Sequence, residues 1–311
     1  MDLSNARTES MVVFREFRIA FDQSLKVASA ALRFLEKNAA GPGGAKLVDD
    51  LIREAKEPGG SVGIGAPRHV IETSLIHLSG LWIAQVLSAF EVFLLGTRSE
   101  LQSFVKPRPS LTGSTTDADG KVSVTKLYEQ MGWDSAALTP YLSLLDYFQL
   151  CRNCVVHRSG AASAALVSFP MDPNDYFRNW PDYARRRGLR LPPLPLLVER
   201  RPIAFRPRHS ILASVVCNRI AEEVNKQSIS SLGKEGIIHI GAGRAFQSDE
   251  PYPFLLSYLL RAKGAHEAIL SVLWERYHVR QLSSGVIARV LVASGPKFPR
   301  NICGSWKMLA P

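Results

Sequence analysis

Residues 141–160 read Y-L-S-L-L-D-Y-F-Q-L-C-R-N-C-V-V-H-R-S-G and place a guanidinium, an amide and an imidazole at Arg152, Asn153 and His157. An imidazole titrates near neutrality and can give or take a proton. A guanidinium presents a planar fork of donors that fits phosphate oxygens. A fixed cation and a proton carrier at one phosphodiester can stabilise developing charge without a metal. Arg152 follows Leu145 by seven residues and Phe148 by four, in line with the apolar stripe of this segment. Burying that charge alone would cost several kcal/mol, so it must meet a carboxylate, a phosphate or an interface. Asn153 and His157 share a helical face, whereas Arg152 and His157 lie about 140° apart on an ideal helix. Either a frayed last turn or a second copy of the helix across a dimer axis would bring those two together. His157 falls in the final turn, where the helix C-terminus favours the imidazolium and the neighbouring Arg158 opposes it. Each residue also has a structural use: Arg152 in an ion pair with Glu91, His157 as a helix cap, Asn153 as a hydrogen bonder to a loop.

These side chains need a helix to hold them, and the segment supplies one. Tyr141, Leu144, Leu145, Phe148 and Val155 form its apolar side and Gly160 stops it. Upstream, residues 10–38 carry one broad apolar face with helical spacing, closed by the Gly/Pro break at 41–44, and a short amphipathic helix is expected over 45–57. The longest apolar run, 78–95, approaches a membrane span in length, but it contains Gln85 and Glu91 and lacks an aromatic belt. That pattern predicts a helix buried in the middle of a bundle. Helical pattern resumes near 122 and 138, beyond a polar connection at 107–121. Short strands are expected at 165–169, 202–205 and 237–240, a helix over 209–226, and two or three helices over 252–293. The glycines at 59–65 and the run Gly241-Ala242-Gly243 read as turns, since neither completes a phosphate-binding or dinucleotide motif.

Positive charge is concentrated in the second half. Residues 1–150 carry 15 Lys/Arg against 17 Asp/Glu, and residues 151–311 carry 23 against 11. Within 178–208 stand nine arginines, Arg178, Arg185, Arg186, Arg187, Arg190, Arg200, Arg201, Arg206 and Arg208, with Tyr176, Phe177, Trp180 and Tyr183 before or among them. Clustered guanidinium groups with interleaved aromatics suit a single-stranded nucleic acid, by charge and by stacking. Four cysteines in 311 residues make neither a disulfide framework nor a paired zinc site. Cys151 and Cys154 bracket the Arg-Asn pair and read as core residues of the helix. No secretion signal pattern opens the chain, and a cytoplasmic location is expected.

Arg152-Asn153, three intervening residues, His157 and then Gly160 resemble the R-x(4-6)-H signature of the HEPN superfamily in its R-N-x-x-V-H-x-x-G form. The apolar helix ending in Ser88-Ala89-Phe90-Glu91, some sixty residues earlier, resembles that family's other core helix, and the likeness spans about residues 68–228. The resemblance implies a bundle of four or five helices that dimerises so that two motif copies form one cleft. It also implies metal-independent RNA cleavage, in which a 2′-hydroxyl attacks the adjacent phosphate to leave a 2′,3′-cyclic phosphate and a 5′-hydroxyl. His157 would be the acid/base, Arg152 the phosphate clamp, Asn153 the orienting amide and Glu91 a supporting partner. Some members keep the bundle and act only as binding or adaptor modules.

The expectation is therefore a mainly α, HEPN-like helical bundle with short β-strands and an extra C-terminal α-rich segment. It divides into an N-terminal helical segment 1–58, the bundle with its Arg-rich insertion over 59–230, and an accessory segment 231–311. The expected activity is that of an endoribonuclease of toxin, defence or RNA-processing type, with no cofactor, no metal and no membrane association. The expected partners are RNA, a second copy, and an antitoxin or regulatory protein. The alternative is a non-catalytic module for dimerisation and RNA or partner binding. A weaker third reading is a DNA-binding regulator acting through its C-terminal helices.

Overall fold

A computed structural model describes residues 2–39, 41, 43–54, 67–105, 123–170, 193–247 and 265–293. Its elements are α1 (Glu9–Ala39), α2 (Gly44–Glu54), α3 (Pro67–Phe104), α4 (Val124–Met131), a 3-10 turn (Ala136–Leu138), α5 (Thr139–His157), α6 (Ala164–Val167), α7 (Pro207–Gln247), α8 (Ala265–Glu275) and α9 (Ser284–Ala293). The described residues thus form a mainly helical fold. The polar connection at 107–121, the glycine-rich stretch at 59–65 and the arginines from Arg178 to Arg190 lie outside them.

The three expected strands do not form among the described residues. Residues 164–167 make a single helical turn, capped by the Ser163 hydroxyl, which accepts from the Leu166 N–H at 3.2 Å. Residues 202–205 contribute only an isolated bridge, Pro202 with Ala161. Residues 237–240 belong to α7, with Ile237, Ile238, His239 and Ile240 all buried. A short β-branched apolar run reads alike for a buried strand and a fully enclosed helix, and here enclosure decided for the helix. Gly241 is likewise helical rather than part of a turn: a Cβ there would stand 2.5 Å from Leu273 Cδ2, so its small size lets α7 approach α8.

Helices α1 and α3 are 31 and 38 residues long, and α7 spans 41 residues with a non-helical break at Gly233 (φ 59°, ψ −166°), against a mean of about 11 or 12. Each serves two cores. One unit draws on Met1–Arg15, Glu91–Ser135 and Ala221–Pro311, the other on Glu16–Phe90 and Ala136–Ile220. The units therefore cut across the consecutive segments 1–58, 59–230 and 231–311 expected from composition breaks, because a break in composition does not mark where a long helix passes from one core to the next.

In the first unit, Phe14 of α1 and Phe93 of α3 pack with ring centroids 5.4 Å apart. Tyr128 of α4 meets Trp133 edge-on at 5.2 Å, and the Trp133 indole N–H donates to Ser231 at 3.0 Å. Glu9, in the first turn of α1, accepts from both Arg276 Nη2 and Nε, at 2.6 and 2.8 Å, and from the Tyr277 hydroxyl at 2.7 Å. Asn225 holds the chain entering α1 by accepting from the Thr8 N–H at 3.0 Å and donating to the Ala6 carbonyl at 3.1 Å.

In the second unit, Phe21 and Leu25 of α1, Ile83, Val86, Leu87 and Phe90 of α3, Leu144, Leu145, Phe148, Cys151 and Cys154 of α5, and Leu212, Val216 and Ile220 of α7 are buried. The Ser210 hydroxyl donates to the Ser79 carbonyl at 2.8 Å and pins the start of α7 to α3. Where the sequence pattern predicts a helix buried in the middle of a bundle, α3 is buried along one side only. Leu81, Val92 and Leu95 are exposed, and half of its most apolar window lies inside the protein. By length and composition α3 is also long enough to cross a bilayer.

Candidate functional site

The α5 helix begins with a proline in its first turn and runs unbroken to His157, with Arg158 as its C-cap. Its packing follows the apolar spacing, with the two cysteines added to the buried face, where desolvation pushes the Cys151 thiol well above its ordinary pKa. Cys154 donates through its thiol to the Ser163 hydroxyl at 3.6 Å, tying α5 to the cap of α6. Both cysteines are structural.

Arg152 and Asn153 are half-buried, whereas His157 is exposed at the end of the helix. Arg152 is engaged within the fold. Asn153 has its Oδ1 buried with no hydrogen-bond partner. An unsatisfied buried acceptor costs about 1–3 kcal/mol, so the position keeps a group that the fold alone does not use. Because the helix is regular through His157, Asn153 and His157 lie one turn apart on one face, and Arg152 stays about 140° from His157. The last turn does not fray, which removes one of the two routes by which a single motif could bring its guanidinium and imidazole together. Glu91 falls in the first unit and Arg152, Asn153 and His157 in the second.

Beyond His157 the chain turns sharply. Ser159 and Gly160 both adopt positive φ, 52° and 83°. Gly160 takes this conformation without a Cβ penalty, while Ser159 is held in it by its surroundings. The Gly160 N–H and the Arg158 N–H both donate to the Cys154 carbonyl, at 2.9 and 3.0 Å. This turn presents its backbone to a second segment. The Ala162 N–H donates to the Arg201 carbonyl at 2.9 Å, the Arg200 N–H to the Ala162 carbonyl at 3.0 Å, and the Ile203 N–H to the Gly160 carbonyl at 3.0 Å. Arg200 and Arg201, both exposed, are thus strapped to the residues that directly follow the motif helix.

The same strap is anchored on its far side by His209. Its Nδ1 accepts from the Arg206 N–H at 3.0 Å, which leaves Nε2 to donate to the Pro193 carbonyl at 3.0 Å. Burial lowers the pKa of His209, with Arg208 and Arg206 acting in the same direction, so the ring is a neutral structural link. Beside the strap lies a cleft of about 300 Å³ lined by Ile76, His77, Leu81, Val155, Ser159 and Phe205 among others. The spacing of residues announces neither the cleft nor the strap. Arg200 and Arg201 belong to the arginine-rich stretch of the sequence, but only backbone pairing shows that they sit next to the motif. Among the described residues no group of three His, Cys, Asp or Glu is arranged to hold a metal ion.

No family model, curated protein or solved structure matches the chain.

Proposed function

We propose that the protein is an endoribonuclease that cleaves RNA without a metal, by attack of a 2′-hydroxyl on the adjacent phosphate, and that a second copy completes its site. The observation that carries this reading is the strap: main-chain bonds from residues 160–162 hold exposed Arg200 and Arg201 beside the helix end that bears His157. A proton carrier on a helix end to which two arginines are held by the backbone suits a phosphodiester, because cations hold the phosphate while the imidazole moves the proton. Asn153, one turn back on the His157 face, supplies an acceptor that the fold leaves unused. The separation of Arg152 from His157 around α5 supports the second copy, whose motif would bring an Arg152 to the opposite side of the phosphate. In this arrangement His157 acts as acid/base, Arg152 as clamp, Asn153 as orienting group, and Arg178, Arg185, Arg186, Arg187 and Arg190 extend the RNA contact.

The test is cleavage of single-stranded RNA in EDTA by wild type, Arg152→Ala, Asn153→Ala and His157→Ala, with analysis of product ends. Wild type yields 2′,3′-cyclic phosphate and 5′-hydroxyl ends. The Arg152 and His157 variants lose at least about a hundredfold in rate, the size expected for removing an acid/base or a charge-stabilising group. Asn153→Ala loses cleavage while keeping or raising its thermal midpoint, since it deletes an acceptor that was unsatisfied. RNA that is bound but left intact by a folded, dimeric wild type would replace this reading with that of a non-catalytic binding module.

A further inference from the structure

The outward face of α1 carries a pattern that lies outside the core and outside the proposed cleavage site. Within the second unit, α1 turns Phe21 and Leu25 into the core, with Arg18, Ala28, Leu32 and Leu35 half-buried along the same side. The opposite side of a surface helix is ordinarily polar. Here it holds Ile19, Val27 and Phe34 at 54%, 70% and 63% exposure, with exposed Ala20, Ala30 and Ala31 between them. Single exposed apolar residues need no explanation, but these fall on one line. Glu16, Ile19, Gln23, Lys26 with Val27, Ala30, Phe34 and Lys37 recur at steps of three or four that keep to one side of the helix, and every one of them is exposed.

This seam reads the same in both directions. A two-fold axis between Lys26 and Val27, perpendicular to the helix, sets Glu16 of one copy opposite Lys37 of the other, Ile19 opposite Phe34, Gln23 opposite Ala30 and Lys26 opposite Val27. Opposite charges meet at both ends, Ile19 meets Phe34, and Val27 packs against the aliphatic stem of Lys26. Parallel pairing in register would instead face Glu16 with Glu16, Lys26 with Lys26 and Lys37 with Lys37. A closed dimer needs a self-complementary patch, and of the two pairings only the antiparallel one sets unlike charges together. The alanines beside the large residues allow close approach along a contact of about 32 Å, at 1.5 Å per residue.

We infer that α1 is a homodimerisation helix, pairing antiparallel with α1 of a second copy through the seam from Glu16 to Lys37. The inference stands on α1 alone and would hold for a protein that cleaves nothing. Its test is sedimentation of the full chain, which reads mass and not cleavage. Wild type sediments as a dimer at tens of micromolar, and Phe34→Glu sediments as a monomer with unchanged far-UV circular dichroism. Glu16→Lys and Lys37→Glu each weaken the dimer by about tenfold, the range of the two symmetry-related exposed ion pairs, and the double exchange restores it. The exchange alters only exposed end residues, so it reads the interface even if Phe34→Glu disturbs the helix. A monomeric wild type, a dimer indifferent to Phe34→Glu in a folded chain, or charge reversals that do not rescue one another would overturn the inference.

Discussion

Glu100 shows what a single buried group can do to this protein. Its Oε1 accepts from the Ser10 N–H and hydroxyl at 2.8 and 2.6 Å, and its Oε2 is buried with no hydrogen-bond partner. Burial is the main cause that raises its pKa to about 7, against the hydrogen bonds from Ser10, which lower it. The folded chain therefore binds a proton between about pH 4.5 and 7 that the unfolded chain has released. The associated stability is fully present below pH 4.5 and is lost as pH rises through 7, a difference of up to about 3 kcal/mol at 1.36 kcal/mol per unit. Glu100→Gln keeps an acceptor for Ser10 and removes the titration. The expected result is a thermal midpoint that differs less between pH 5 and pH 8 than in wild type, and a variant more stable than wild type at pH 8. Equal pH sensitivity in both chains would show that this carboxyl does not carry the effect. Nothing in the spacing around Glu100 announces this role, because the desolvation comes from residues far away in sequence.

At the scale of elements, the helix carrying the motif was legible and the strands were not. The α5 boundaries follow from Pro140 at its start, Gly160 past its end and the apolar spacing of Leu144, Leu145 and Phe148 between them. The segment 237–240 misled for the opposite reason: Ile237, Ile238, His239 and Ile240 are all buried in a run too short to carry a period, and only the surrounding helices select its state. Gly241 belongs to the same lesson. Its sequence neighbourhood suggests a turn glycine, yet it is a packing glycine, set where a Cβ would lie 2.5 and 2.8 Å from Cδ2 and Cγ of Leu273. Leu273 is fully buried, so a larger residue at 241 displaces it within the core. Gly241→Val is expected to destabilise the fold by about 1–3 kcal/mol, as overpacking does, and Leu273→Ala in the same chain should recover part of that loss. Chemical denaturation of the two single variants and the double reads both effects; strict additivity would rule out the steric clash.

Across the whole molecule the charge asymmetry gains meaning from the fold. The excess of Lys and Arg after residue 150 could be a solvated face, but Arg200 and Arg201 are exposed and bonded through their backbones to the segment following α5. On the proposed function, Arg200→Gln with Arg201→Gln weakens RNA binding equally for different sequences. It also reduces the slope of log affinity against log salt by about 0.7 for each phosphate that is no longer neutralised. Fluorescence anisotropy with single-stranded RNA at several salt concentrations measures this, and an unchanged slope would detach the strap from the substrate.

By itself the sequence determined the helical character of the chain, the position of its motif helix and the concentration of positive charge, since each depends on residue types and on spacings within a few turns. Periodicity also showed that Asn153 and His157 share a face and that Arg152 does not. Tertiary structure alone decided that α1, α3 and α7 each serve two cores, that Asn153 keeps an unused acceptor, and that two arginines stand beside the end of α5. Those outcomes rest on contacts between residues tens to hundreds of positions apart, and burial, desolvation and backbone pairing at such separations leave no local pattern in a chain.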